Sequence, residues 1–139
     1  CIFNIEVSRE TVRTACLAGD GQHALTRGHN NRLAIWDLQR GMIIQELDGH
    51  NDWINAIAIS EAGRYAVTGS QDMTAIVWDL NTLEPLRALQ GHDAAITCAA
   101  ISASGDYVLT GGVDKTLRLW ETASGRCLRI LRGHGDTVY

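Results

Sequence analysis

Four residue types able to do chemistry recur together along this 139-residue chain, in one order and at one spacing. The two sets, each a histidine, a threonine, an aspartate and a tryptophan, are His50, Thr68, Asp72, Trp78 and His92, Thr110, Asp114, Trp120. A hydroxyl, an imidazole and a carboxylate are the groups that covalent acyl transfer uses. However, an active site does not need to occur once per repeated unit, and threonine is a weak nucleophile away from an N-terminal amine. We therefore predict a structural role for both sets, and no catalytic residue.

The same spacing extends over most of the chain. Three tryptophans and three Gly-His pairs recur at 42-residue intervals, namely Trp36, Trp78 and Trp120, and the pairs that begin at Gly49, Gly91 and Gly133. Between these markers, short apolar or alternating runs are separated by turns rich in Gly, Asp, Ser and Asn, which is typical of short β-strands. The pattern predicts an all-β protein in which each unit has four strands.

A repeat of about 40–45 residues that opens with Gly-His and closes with Trp-Asp is typical of a propeller blade. By these motifs the chain resembles the WD-repeat β-propeller family over nearly its whole length. The resemblance implies blades of four-stranded antiparallel sheet: a degenerate repeat at 1–48, full repeats at 49–90 and 91–132, and the start of another at 133–139. Since a closed propeller needs about 4–8 blades, we expect a partial propeller of about three blades. It is either a piece of a longer chain or a unit that closes its ring by oligomerising.

The resemblance also implies how the four residue types interact. In that family the aspartate of a turn accepts from the histidine, the histidine meets the hydroxyl, and the hydroxyl meets the indole N–H. The types are complementary, because an indole only donates and an ionised carboxylate only accepts, and buried polar groups need partners. The first repeat has Ser8, Thr26, Asn30 and Trp36 at these positions, so it lacks both the histidine and the aspartate. We expect this blade to be less stable.

Residues that depart from the repeat are the candidates for function, because the shared residues build the blades. Trp53 alone among the four tryptophans breaks the period; the other repeats have Thr11, Ala95 and Thr137 there. In the family resembled, this position, the one two residues later and the one before the turn aspartate face the top of the disc, where partners dock. The candidate protein-binding residues are Trp53, Asn55, Gln71, Thr97, Val113, Arg13 and His29. An exposed tryptophan among polar residues is typical of a binding hot spot; the alternative is that Trp53 packs on a neighbouring loop.

Composition argues against several other classes of protein. The net charge of −4 disfavours a nucleic-acid partner, and the longest nearly apolar run, 94–101, is too short to span a membrane. The four cysteines form no CxxC pair and no metal spacing with the histidines, which favours unpaired thiols in a reducing compartment. No phosphate-binding loop or zinc motif occurs. We expect no cofactor, no metal, and an intracellular protein, with the cytoplasm favoured over the nucleus.

These observations predict a non-enzymatic protein–protein interaction scaffold that binds a protein or peptide on its top face. It would be the sensor or receptor part of a larger intracellular protein, in contact with the remaining blades of that chain. The alternative is a structural self-assembly domain that closes a ring with a second copy of itself. An enzyme would need a reactive group present in one repeat only, and none stands out.

Overall fold

The computed structural model describes residues 14–27 and 31–139. These residues form three antiparallel four-stranded sheets, each made of consecutive strands. The strands are β1 (Ala15–Leu17), β2 (His23–Arg27), β3 (Leu33–Asp37), β4 (Met42–Leu47), β5 (Ile54–Ile59), β6 (Tyr65–Ser70), β7 (Thr74–Asp79), β8 (Glu84–Gln90), β9 (Ile96–Ile101), β10 (Tyr107–Gly112), β11 (Thr116–Glu121) and β12 (Cys127–Arg132). The predicted all-β class and the four-stranded propeller blades are confirmed, and we call the three sheets the first, second and third blades.

The burial of each strand follows from its place in its blade. In β7, rich in β-branched and aromatic residues, the four residues from Ala75 to Trp78 are all buried, because this strand is covered on both faces. Its alternate side chains pack in opposite directions: Ile76 and Trp78 against the first blade, Ala75 and Val77 against the third. The last strand of each blade lies at the edge and is mostly exposed, as in β12.

The blades are held together by two hydrophobic clusters, one at each junction. The first–second junction buries Leu25, Leu33, Ile35, Leu47, Ile54, Ala66, Ile76 and Trp78. The second–third junction buries Val67, Ala75, Val77, Leu89, Ile96, Val108 and Trp120. Because each cluster takes residues from two neighbouring sheets, a blade is stabilised mainly by the blades beside it.

In the second blade, the turn-type residues at 69–72 predict that the second strand ends at Thr68. However, β6 continues through Gly69 to Ser70, and Gly69 pairs with Ala56. The reason is packing between blades: a Cβ on Gly69 would lie 2.5 Å from Cγ2 of Ile96 in the third blade. A glycine is therefore required inside this strand, not at its end.

The outer strand of the second blade, β8, also extends beyond its apolar residues. It begins at Glu84 and includes Pro85, which pairs with Trp78 next to a register shift. Proline is tolerated there because an edge strand at a bulge needs no inward N–H.

The antiparallel order places the connections at two opposite ends of the blades. We call one end the top face; it carries the loops that contain the Gly-His pairs and the turns 71–73 and 113–115. The other end, the bottom face, carries the turns 60–64, 80–83 and 102–106.

Candidate functional site

In the second blade the four repeated side chains form a chain of hydrogen bonds beneath the top face. Nδ1 of His50 lies 3.0 Å from Oδ2 of Asp72, and its Nε2 lies 2.8 Å from Oγ1 of Thr68. The Trp78 indole donates to the same hydroxyl oxygen at 2.9 Å. Because Asp72 offers only acceptors, the ring proton is assigned to Nδ1, and Nε2 accepts from the threonine hydroxyl.

The third blade repeats this arrangement. The His92 ring lies 2.7 Å from Oδ2 of Asp114 through Nδ1 and 2.7 Å from the Thr110 hydroxyl through Nε2, and Trp120 donates to that hydroxyl at 2.8 Å. Asp114 also accepts from the backbone N–H of Asp93 and from both the N–H and the hydroxyl of Thr116. Every polar side chain of the set therefore has a partner.

The protonation states follow from burial and from these bonds. Burial would raise the pKa of Asp114, but hydrogen bonds from Thr116, His92 and two backbone N–H groups outweigh it and lower the pKa to about 2. The pKa of Asp72 is lowered by the same balance. Burial lowers the pKa of His50 and of His92, against the opposing effect of their carboxylate partners. Each set therefore holds an ionised aspartate and a neutral histidine at neutral pH.

The arrangement has the groups of a nucleophilic triad but no access for a substrate. Thr68 and Thr110 are fully buried, and each hydroxyl already accepts an indole N–H. A nucleophile must reach a reacting carbon in a suitable pose. The geometry suits a structural network that fixes the loop, the turn and two inner strands of one blade.

The first blade keeps only one described bond of this kind. Trp36 donates to the Thr26 hydroxyl at 2.8 Å, and both residues are buried. Ser8 and Asn30, which replace the histidine and the aspartate in the sequence, lie outside the described residues. The lower stability of this blade stays a prediction.

Trp53 lies on the top face with 55% of its surface exposed. Its backbone is fixed, since its N–H donates to the Asp52 carboxylate at 2.7 Å and its carbonyl accepts from the N–H of Gln71 at 2.8 Å. The guanidinium of Arg27 in the first blade lies 5.3 Å from the centre of the indole ring. The tryptophan is therefore an exposed side chain on a rigid loop, with a cation over one face.

Sequence reasoning missed Arg27, although the repeat carries a signal for it. The equivalent positions in the second and third blades are Gly69 and Gly111. Gly69 is needed because Ile96 packs against it. Arg27 is thus a departure from the repeat at a strand end, and its side chain contacts Trp53, the other large departure on this face.

The other candidate top-face residues divide between exposed and structural positions. Gln71 and Val113 are exposed. Asn55 is half-buried, and its side-chain amide donates to the Ile96 carbonyl at 3.0 Å, which ties the second blade to the third. Thr97 is half-buried, with its hydroxyl against the carbonyls of Gly111 and Val138. Arg13 and His29 lie outside the described residues.

Two other features are absent from the described ranges, 14–27 and 31–139. Those ranges contain no group of three or more histidine, cysteine or acidic side chains placed to hold a metal ion. They also contain no helix long and apolar enough to cross a membrane.

Comparison with known proteins gives one family and two closely similar folds. The family model described as "WD domain, G-beta repeat" matches residues 41–79 and 83–121. Among solved structures, "Structure of U3-55K" superposes with a TM-score of 0.87 at 18% sequence identity over 94% of this chain and 42% of that one. "Crystal structure of RRP9 WD40 repeats" gives the same TM-score and identity over 94% of this chain and 41% of that one. The chain thus spans less than half the length of these structures.

Proposed function

Because the chain belongs to the WD-repeat family, whose members are in general non-catalytic scaffolds for protein interaction, we propose that it binds a protein or peptide through its top face. We further propose that it is the sensor or receptor part of a larger intracellular protein, and that Trp53 is the main anchor. The observation that carries the proposal is the Arg27–Trp53 pair, which two blades build from positions where the repeat has other residues.

The chemistry of this pair suits an anchor. Tryptophan and arginine are enriched at the energetic centres of interfaces, because they bury a large area at a low entropic cost and also offer polar contacts. The fixed backbone of Trp53 lowers the cost of ordering the loop when a partner binds. Gln71, whose backbone N–H donates to the Trp53 carbonyl, supplies an exposed amide on the same face.

The exposed carboxylates on the top-face loops are paired with arginines, Asp48 with Arg32 at 3.4 Å and Asp93 with Arg118 at 3.5 Å. Such a face offers charges of both signs to a protein partner. The net charge of −4 disfavours a nucleic-acid partner. The absence of a nucleic-acid partner stays a prediction.

The proposal is tested by proximity labelling in cells with Trp53→Ala, compared with the wild type. Met42→Ala is the matched control, because Met42 is exposed to the same extent, 55%, but lies on the outer strand β4. We expect the same set of neighbours for the wild type and for Met42→Ala, and a loss of at least tenfold in the labelling of the top-face partner for Trp53→Ala, the effect of a lost hot spot.

Melting temperatures separate binding from folding in this test. Trp53→Ala should lower the melting temperature far less than Trp78→Ala, since only the latter opens a buried cavity. Equal losses would make Trp53 a core residue. If Trp53→Ala is as stable as the wild type and its labelling is unchanged, Trp53 is not part of the interface.

The alternative is a self-assembly domain in which a second copy of the chain completes the ring. Light scattering across a concentration series tests this: a discrete dimer supports ring closure between copies, and a monomer at all concentrations excludes it.

A further inference from the structure

The two junctions between blades differ at the bottom face, and the difference begins with an aromatic ring. At the second–third junction Tyr65 packs against the hydrophobic cluster, and its ring lies on Gly105. A Cβ on Gly105 would be 2.4 Å from Cδ2 of that ring. The bare glycine backbone therefore provides the surface on which the phenol ring rests.

At the first–second junction the equivalent residues are His23 and Gly63. Gly63 has the same left-handed backbone as Gly105, with φ of 71° against 84°. However, a Cβ on Gly63 would meet no atom within 4 Å. At the second–third junction the glycine backbone is covered by the ring of Tyr65, whereas at the first–second junction no described atom covers the equivalent glycine, Gly63.

His23 does not fill this space, because a hydrogen bond to Asp20 holds its ring on its own turn. Its Nδ1 lies 2.6 Å from Oδ2 of Asp20, and Oδ1 of Asp20 accepts the backbone N–H groups of Gln22 and His23. The position of Asp20 is occupied by Ala62 in the second blade. Asp20 and His23, which stand where the second blade has Ala62 and Tyr65, therefore together leave the space at the first–second junction unfilled.

The result is a cavity of about 320 Å³ between the first and second blades. Its walls include Leu25, Ile35 and Ile44 of the first blade and Leu80 and Leu83 of the second. His23 and Asp20 lie at its edge, with 42% and 44% of their side chains exposed to solvent. A largely apolar pocket with a few polar groups at its edge is the usual composition of a binding site.

We propose that this cavity binds an aromatic side chain, tyrosine or phenylalanine, from a partner peptide on the bottom face. The repeat itself shows what fits, because Tyr65 occupies the equivalent space at the second–third junction. Aliphatic walls and a bare glycine backbone suit the flat faces of a ring. The site lies on the opposite face from Trp53, so it is independent of the proposed top-face interface.

The test is a titration of the methyl-labelled protein with N-acetyl-tyrosine amide, followed by NMR. We expect saturable shifts of the methyl groups of Leu25, Ile35 and Ile44, and unchanged methyls of Ile96 and Ile101 at the other junction. N-acetyl-leucine amide is the matched control and should give shifts at least several-fold smaller. Equal shifts with both probes, shifts elsewhere, or none that saturate would overturn the proposal.

Two reciprocal substitutions add a second readout. His23→Tyr supplies the missing ring from within, so it should abolish the shifts and raise the melting temperature by roughly 2–6 °C, as filling a cavity does. Tyr65→His should lower the melting temperature and add shifts at Ile101 of the other junction. Binding by His23→Tyr that equals the wild type would place the ligand outside the cavity and refute the proposal. If His23→Tyr fails to fold, the titration of the wild type decides.

Discussion

In the second blade, the Trp78 indole, the Thr68 hydroxyl, the His50 ring and the Asp72 carboxylate form one chain of hydrogen bonds. The first blade has one described bond of this kind, from Trp36 to Thr26. Both blades still have four strands in the same order. The shared part is the apolar packing, since Leu25 and Leu33 of the first blade are as buried as Val67 and Val77 of the second. The comparison teaches that packing between blades is enough to form the four-stranded sheet, and it predicts that the polar network adds stability to a single blade.

The first blade also shows what a departure from the repeat allows. With Arg27 in place of a glycine and His23 in place of a tyrosine, it presents a cation to Trp53 on the top face and leaves a cavity at the bottom face. Both features lie beside the intact second blade. Sites for partners are therefore expected where a degenerate blade meets a complete one.

The largest expected effect comes from breaking the network of the second blade at its carboxylate. Asp72→Ala removes the acceptor for His50, for the Asn51 N–H and for Thr74, so we expect a loss of about 2–3 kcal/mol in the free energy of unfolding. Chemical denaturation measures it. The control Asp48→Ala removes an exposed carboxylate and should cost less than about 0.5 kcal/mol. Equal losses would show that the network contributes nothing.

A smaller effect is expected from the two tryptophans. Trp78→Phe and Trp36→Phe each remove one indole–threonine bond from a buried site. We expect Trp78→Phe to be more destabilising by about 1 kcal/mol, because its threonine is part of a connected network and that of Trp36 is not. Urea denaturation of the two variants compares them directly. Equal losses would show that the first blade is as stable as the second and contradict the comparison.

The smallest effect near neutral pH is a decrease in stability on mild acidification. The folded protein holds His50 and His92 with a pKa below the ordinary value of 6.5, so the unfolded chain binds protons first as the pH falls. Stability should therefore be complete above pH 6.5 and decline below it. The melting temperature measured from pH 7.5 to pH 5 tests this. A flat profile for the wild type would contradict the assignment of neutral histidines.

A second decline should follow at lower pH. The pKa of Asp114 is lowered from 3.8 to about 2, so its ionised form supports folding above pH 3.8, and that support is lost as the pH falls toward 2. The shift corresponds to about 2 kcal/mol. Asp114→Asn should remove this part of the profile.

The sequence predicted the blades because each one repeats a local pattern that packing and turns impose. The sequence alone shows the strand positions, the turn residues and the period of Trp36, Trp78 and Trp120. Strand ends were less accurate, since Gly69 and Ser70 look like turn residues and belong to a strand for reasons that lie in the next blade. Asn55 and Thr97 were predicted as binding residues, and the structure places both half-buried: Asn55 bonds to the neighbouring blade and Thr97 to a carbonyl of its own blade.

What the sequence determined by itself is the repeat: its period fixed the fold class, and its complementary donors and acceptors indicated a structural network in place of a catalytic triad. Only the tertiary structure showed which of the residues that differ from the repeat lie in contact with each other. The contact of Arg27 with Trp53 and the cavity beside His23 each join residues of two blades. A local sequence pattern does not show contacts between blades, because these contacts depend on how neighbouring blades stack and on which of two equivalent positions carries the larger side chain.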